Sequence, residues 1–422
     1  MMEFRKYLKH GEFHTHICFH RQGIVRVRRT LTDESTWSAP SAFAEFSPIL
    51  KRLESGNLFA ENSEEPPEPS EKPIVSPDGR VLRAFGMTLT FDEDGAFCWT
   101  DGNATFREVP GRHLLRQGAQ LIHSFCLEEC LYYGFGEKTG PLEKTGTRMR
   151  FSGKDACGYD PVRTDPLYKH VPFFLKLTQD GKHCCGVFYH TAADCEIDMG
   201  REYNGYFPPM GQFVTQEPEI DLFLIRGKDM AEILSNFTTL TGKPAFPPKY
   251  AMGYLGSTMY YTELPRDCDE AILGFVEKAK RLGIPCSNFQ LSSGYTTDHK
   301  QRRNVFHWNL DKFPDPKGFV QRMEAAGAQV TPNIKPALLT TNPLYEEFAS
   351  AGAFIRKEDG SPMVSRFWGG QGSFVDFTNP KARELWKYHL KKDLMEYGIR
   401  SLWNDNNEFD IPEVTAATKA IP

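Results

Sequence analysis

Near residue 400 the chain runs from an apolar stretch into a cluster of polar side chains: Leu402, Trp403, Asn404, Asp405, Asn406, Asn407 and Glu408. Two carboxylates and three amides crowd a short segment where a plain core strand would carry fewer groups needing partners. A carboxylate set among hydrogen-bond donors stays ionised, whereas apolar surroundings would favour its protonated form. Asp405 can therefore serve as a charged reactive group at a strand end, or simply cap the following turn. Other clusters carry less. His14 and His16 of "HTHICFH", with His20 beyond, share one strand face as metal ligands can, but no Cys or carboxylate stands at a matching spacing, so no metal is assigned. Cys126 with Cys130, and Cys184 with Cys185, read as core thiols. "GFGEKTG" does not open a helix after a strand, so it is a weak dinucleotide signal.

Two kinds of element must position these residues. Up to about residue 245 the chain reads as β. "MTLTF" (87–91) alternates apolar and polar residues, "DEDG" turns it into "AFCW", and the pattern returns around Asp180–Gly181. "IDLFLIRG" is a further strand, and short strands punctuated by Gly and Asp suggest a β-sandwich. The stretch 61–73, "ENSEEPPEPSEKP", reads as an exposed Pro- and Glu-rich loop.

From residue 246 the rhythm becomes strand–helix alternation. "YAMGYLGS", "CSNFQLS", "QVTPNI" and "IRSLWND" are strand-like. Between them, "DEAILGFVEKAKRLG" places Ile272, Phe275, Val276 and Ala279 at helical spacing and stops at Gly283. "DPKGFVQRMEAAGA" and "NPKARELWKYHLKKDLMEYG" are further helices, the latter stopping at Gly398. Repeated βα units imply a parallel sheet, here four strands or the first half of a (β/α)8 TIM-type barrel. Ligands of such folds meet the C-terminal strand ends, where "SSGY" (292–295), "NIKP" (333–336) and "WNDNNE" (403–408) stand.

The composition is that of a globular protein, with 40% hydrophobic, 25% charged and 13% aromatic residues. A net charge of −5 with dispersed Lys and Arg argues against a nucleic-acid partner. No apolar run reaches membrane-spanning length, and the first twenty residues lack the apolar core of a signal peptide. Ten Cys without recurring spacing suit reduced thiols, and a cytoplasmic location is expected.

The segment 403–408 resembles the nucleophile motif of glycoside hydrolase family 31, usually Trp, any residue, Asp, Met, Asn, Glu. Further segments agree in order. Residues 133–175 are similar to the family's sandwich and its loop over the active site, and "PPKYAMGYLGSTMYY" resembles the opening barrel strand. "DKFPDP" (311–316) and "FWGGQGSFVDFTNP" (367–380) resemble the segments after the second and third strands. The resemblance spans roughly 125–422. It implies a retaining exo-α-glycosidase, α-glucosidase-like, releasing terminal non-reducing α-linked sugars through a covalent glycosyl-enzyme intermediate. Asp405 would be the nucleophile, Trp403 a wall for the sugar, and Asn406, Asn407 and Glu408 its organisers. Trp368 would line the glycone pocket, Asp155 would reach in from the sandwich, and Tyr260 would stand after the first strand. The partner implied is an oligosaccharide or glycoside. No cofactor is implied, because two carboxylates suffice for this chemistry.

Departures from the family pattern matter equally. Ser292 and Ser293 occupy the end of the second strand, where the family's α-glucosidases usually carry an Asp that binds the glycone. Lys335 replaces a residue that is commonly uncharged or acidic, and is expected to contact substrate. These changes leave an α-galactosidase or an α-N-acetylgalactosaminidase as alternatives. The family's acid/base Asp lies on a strand downstream of the nucleophile, and Pro422 follows Glu408 closely. The expectation is a fragment lacking the acid/base, with a non-catalytic sugar-binding remnant as the rival from another class. Transglycosylation and lyase chemistry would share the same nucleophile.

Overall fold

The computed structural model describes residues 6–10, 13–20, 23–30, 73–202, 205–409 and 411. The loop expected at 61–73 lies outside them except for Pro73. The chain divides into two units, Met1–Lys243 and Pro244–Pro422.

The first unit is built from antiparallel sheets. One has seven strands in the order Lys6–His10, Phe13–His20, Ile24–Thr30, Glu219–Arg226, Cys184–Tyr189, Phe173–Thr178 and Cys130–Gly134. Another has five, Arg148–Phe151, Cys195–Met199, Met210–Thr215, Gln120–Cys126 and Leu114–Gln117. Their inner faces meet through aromatic side chains. Tyr189 stacks on Phe213 with ring centroids 4.0 Å apart, and Phe174 stacks on Phe125 at 5.9 Å. Each such residue is essentially removed from water, which contributes roughly 1.5–3 kcal/mol. A further five-stranded sheet runs from Ile74–Val75 to Thr105–Arg107, and Trp99, Phe97 and Phe106 bring it into the same core. The Asp-Gly turns expected from sequence are the observed hairpins, at Gly95 (φ 82°) and Gly181 (φ 71°). This unit is the β-sandwich expected from the alternating strands.

One element of this unit breaks the all-β reading. Met230–Thr241 is an α-helix, started by the Asp229 carboxylate accepting from the Glu232 amide at 2.8 Å. Ile233, Phe237 and Leu240 fall on one face, and they pack with Phe173, Phe188 and Phe223.

The second unit holds four parallel strands in the order Tyr254–Ser257, Cys286–Leu291, Gln329–Ile334 and Trp403–Asn404. Helix Cys268–Arg281 follows the first of these and buries Ile272, Val276 and Ala279. Helix Pro316–Ala325 buries Phe319, Val320 and Met323, joining Phe289, Leu291, Val330 and Ile334 of the strands in one core. Helix Pro380–Asp393 precedes the fourth strand. The last two helices start alike. Asp315 and Asn379 cap the amides of Gly318 and Lys381, each ahead of a proline whose fixed φ suits the first helical position. These units form the first half of a TIM-type barrel. Between the third strand and helix Pro380–Asp393 lies a three-stranded antiparallel sheet, Ala337–Leu339, Gly370–Phe374 and Ser365–Phe367.

Candidate active site

Asp405 stands one residue past the fourth parallel strand. Its amide still donates to the Ile334 carbonyl at 3.0 Å, so the backbone of the third strand fixes its position. The chain then turns sharply, with Asn406 at φ 52° and Phe409 at φ 52°. Asn enters this left-handed region more readily than most side chains, because its short amide bonds locally.

Two donors from the third strand end on one carboxylate oxygen. Asn333 Nδ2 lies 2.8 Å from Asp405 Oδ2, and Lys335 Nζ donates to the same atom. Lys335 also donates to Asn406 Oδ1. Burial would raise the Asp405 pKa. The hydrogen bonds from Lys335 and Asn333, the lysine charge and the Asn406 amide outweigh it, and hold the carboxyl below the usual range. The side chain keeps 29% of its exposure and Lys335 keeps 14%, so the pair opens to solvent rather than being sealed in a core.

The donors therefore differ from those expected. Asn406 and Asn407 stand beside Asp405, but Asn407 Nδ2 donates to the Asp405 main-chain carbonyl at 3.1 Å. The side-chain amide of Asn406 accepts from Lys335. Asn333 supplies the amide donor instead. It is buried, its carbonyl accepts from Tyr295 Oη at 2.9 Å, and its own side-chain oxygen has no partner among the described residues. Its signal in the sequence was the "NIKP" strand end. Trp403 is half-buried opposite Asn333 in the strand register. Glu408 is half-buried and has no hydrogen-bond partner among the described residues.

Ser292 and Ser293 end the second strand. Ser292 is buried, and Ser293 Oγ accepts from Arg303 Nε at 2.9 Å. Arg303 also bonds the Glu263 carboxylate at 2.6 Å, so the serine position lies beside an existing ion pair. Trp368 sits at the tip of a hairpin whose strands pair Phe367 with Gly370, and it is 70% exposed. Gly369 takes φ 96°, and a Cβ there would lie 3.2 Å from the Arg303 amide nitrogen. The tip thus rests on the loop carrying Arg303. A hollow of about 550 Å³ opens beside it, lined by Arg366, Phe367, Gly369, Gly370 and Gln371. Tyr260 is exposed and meets Tyr261 edge-on at 5.3 Å. Asp155 belongs to the first unit, is exposed, and accepts from Tyr168 Oη at 2.7 Å. The structure thus gathers Asp405, Lys335, Asn406 and Asn407 at one point, and Ser293 with the Trp368 hairpin around Arg303.

Among the described residues no three His, Cys, Asp or Glu side chains gather to hold a metal ion. No described helix is long and apolar enough to cross a membrane.

Comparison with known proteins covers both units. The family model of the glycosyl hydrolases family 31 TIM-barrel domain matches residues 244–421. That of the glycosyl hydrolase 31 N-terminal galactose mutarotase-like domain matches residues 14–198. α-Glucosidase 2 of Bacillus thermoamyloliquefaciens is 28% identical over 412 residues, 96% of this chain and 47% of that protein. An α-xylosidase of Emericella nidulans is 28% identical over 273 residues, 65% of this chain and 33% of that protein. Among solved structures, a family 31 dextranase of Flavobacterium johnsoniae complexed with glucose superposes with a TM-score of 0.77 at 19% identity. It covers 99% of this chain and 50% of its own. A family 31 α-xylosidase from a soil metagenome, complexed with xylose, gives 0.74 at 16% identity, covering 100% of this chain and 60% of its own. The chain thus spans about half the length of the first of these relatives, and a third of the second.

Proposed function

The chain belongs to glycosyl hydrolase family 31, and on that premise we propose that it serves a retaining α-glycosidase in which Asp405 attacks the anomeric carbon of a terminal α-linked sugar. The observation that carries the proposal is the state of Asp405. It stands at the C-terminal end of a parallel strand and opens to solvent. Lys335 and Asn333 hold it ionised. A nucleophilic carboxylate has to be charged, fixed and reachable at once. Trp403 and the exposed Trp368 offer apolar faces to the sugar, and the Ser293–Arg303–Glu263 group offers polar ones.

An α-glucoside is the leading substrate, supported by the α-glucosidases among the relatives. A different glycone is the second reading, supported by Ser292 and Ser293 at the second strand end. A hydroxyl there accepts fewer and weaker hydrogen bonds than a carboxylate would. The α-xylosidase among the relatives also widens the range of sugars to be tested. The test is release of aryl alcohol from α-glucosides, α-xylosides, α-galactosides and α-N-acetylgalactosaminides by the full-length gene product. One of these is expected to be cleaved with retention of configuration. Hydrolysis of none, with the sugars still bound, would favour a sugar-binding role instead.

A further inference from the structure

Asn333 Nδ2 and Lys335 Nζ end on the same atom of Asp405, Oδ2. Among the described residues no side chain donates to Oδ1. The lysine is also held from its far side. It donates to the side-chain oxygen of Asn406, whose left-handed backbone turns that amide toward it. The ammonium is thus fixed on one edge of the carboxylate beside the Asn333 amide, and the Asn406 main-chain amide adds a bond to the same carboxyl, while no described side chain holds Oδ1.

Resting on the reading of Asp405 as the nucleophile, we infer that Lys335 is a positioning residue that leaves Oδ1 as the attacking oxygen and favours release of the sugar from Asp405 over its capture. In the first half-reaction Oδ1 bonds to the anomeric carbon while the bond from that carbon to the leaving group breaks, its electron pair departing with the leaving group. The carboxylate loses negative charge there, so a cation on Oδ2 works against the step. In the second half-reaction the oxygen of water bonds to the same carbon. The carbon–Oδ1 bond breaks, its electron pair returns to the carboxylate, and the proton of water passes to solvent. Charge now develops beside a preorganised ammonium, which stabilises it. An ion pair serving stability alone would not separate the two halves.

The separation can be read with 5-fluoro-α-glycosyl fluorides of the gluco and galacto series. Fluoride departs as an anion without needing a proton, so the measurement isolates Asp405 from any acid. Intact-mass spectra follow gain and loss of the sugar. The wild-type protein and Lys335→Arg are expected to gain and lose it at rates within about threefold of each other. Lys335→Met should still gain it but release it about tenfold more slowly, a factor equal to about 1.4 kcal/mol of lost stabilisation of the departing carboxylate. Release from Lys335→Met as fast as from wild type overturns the inference. So does failure of Lys335→Met to gain the sugar while Lys335→Arg gains it. A wild-type protein that gains no sugar at Asp405 removes the nucleophile reading itself, and the inference with it. Altered release in the lysine variant alone leaves that reading untouched.

Discussion

The side-chain amide nitrogen of Asn333 lies 2.8 Å from Oδ2 of Asp405, joining the ends of two neighbouring strands across 72 residues of sequence. Parallel register makes this possible, because Asn333 pairs with Trp403 and Ile334 with Asn404. Asp405 is then the next residue along, carried on by its backbone bond to Ile334.

Removal of that amide should be felt in turnover. A hydrogen bond to a charged group is worth roughly 1.5–3 kcal/mol, or about 10- to 100-fold in rate. Asn333→Ala is expected to lower kcat/KM for the preferred glycoside by that factor. Asn333→Asp should lower it further, because two carboxylates would then face each other. Steady-state kinetics with a thermal melt on each variant checks this. Unchanged kcat/KM in a folded Asn333→Ala protein would show that the contact is architectural.

Trp368 allows recognition and stability to be separated. An exposed side chain on a hairpin tip contributes little to folding, so Trp368→Ala should change stability by no more than about 0.5 kcal/mol. If the ring stacks on the sugar, KM should rise several-fold while kcat changes less. Gly369→Ala should show a related defect for another reason, since φ 96° strains an L side chain and the new methyl meets the Arg303 backbone. Denaturation midpoints and KM for both variants decide it, and wild-type KM in Trp368→Ala counts against a sugar contact.

The sandwich carries its own pH signature. Arg29, Glu108 and His123 form a buried network, with Glu108 bonded to Arg29 at 2.6 Å and to His123 at 2.8 Å. His113 is 7% exposed, and burial lowers its pKa to about 4 against the pull of Glu108. The unfolded chain therefore binds a proton to this histidine that the folded one refuses, between about pH 6.5 and 4. Stability should rise with pH across that window and fall on acidification through it. Urea unfolding at several pH values is expected to show this slope, reduced by about one proton's worth in His113→Asn. An unaltered slope in that variant would assign the proton to another group.

Much of this architecture was legible in the chain, for reasons that are local. The helix at 268–281 announces itself by Ile272, Val276 and Ala279 and by the stop at Gly283 (φ 71°). The sandwich hairpins follow from Asp-Gly turns between alternating runs. Helix Met230–Thr241 departs from the all-β expectation for this half, although Asp229 and the spacing of Ile233, Phe237 and Leu240 carry its signal. Its apolar face is short, and it sits among strands. The short antiparallel sheet between Ala337 and Phe374 is less legible, since the strand Ala337–Leu339 joins the local hairpin around Trp368 only through contacts across more than thirty residues. At the site, position 405 stood out through the unusual density of polar groups. The donors to its carboxylate did not, because which amide reaches Oδ2 depends on the register of two distant strands. The side-chain amides of Asn406 and Asn407 bond Lys335 and the Asp405 main-chain carbonyl instead, and Asn406 reaches the carboxyl only through its main-chain amide.

The proposed chemistry requires the side chain of residue 405 to become covalently attached to sugar. Treatment with a 5-fluoro-α-glycosyl fluoride, proteolysis and peptide mass mapping measure this directly. The expected result is one added sugar on Asp405, absent from Asp405→Asn, which should also lose nearly all hydrolysis. A label mapping to another carboxylate, or an Asp405→Asn protein of undiminished activity, would contradict it.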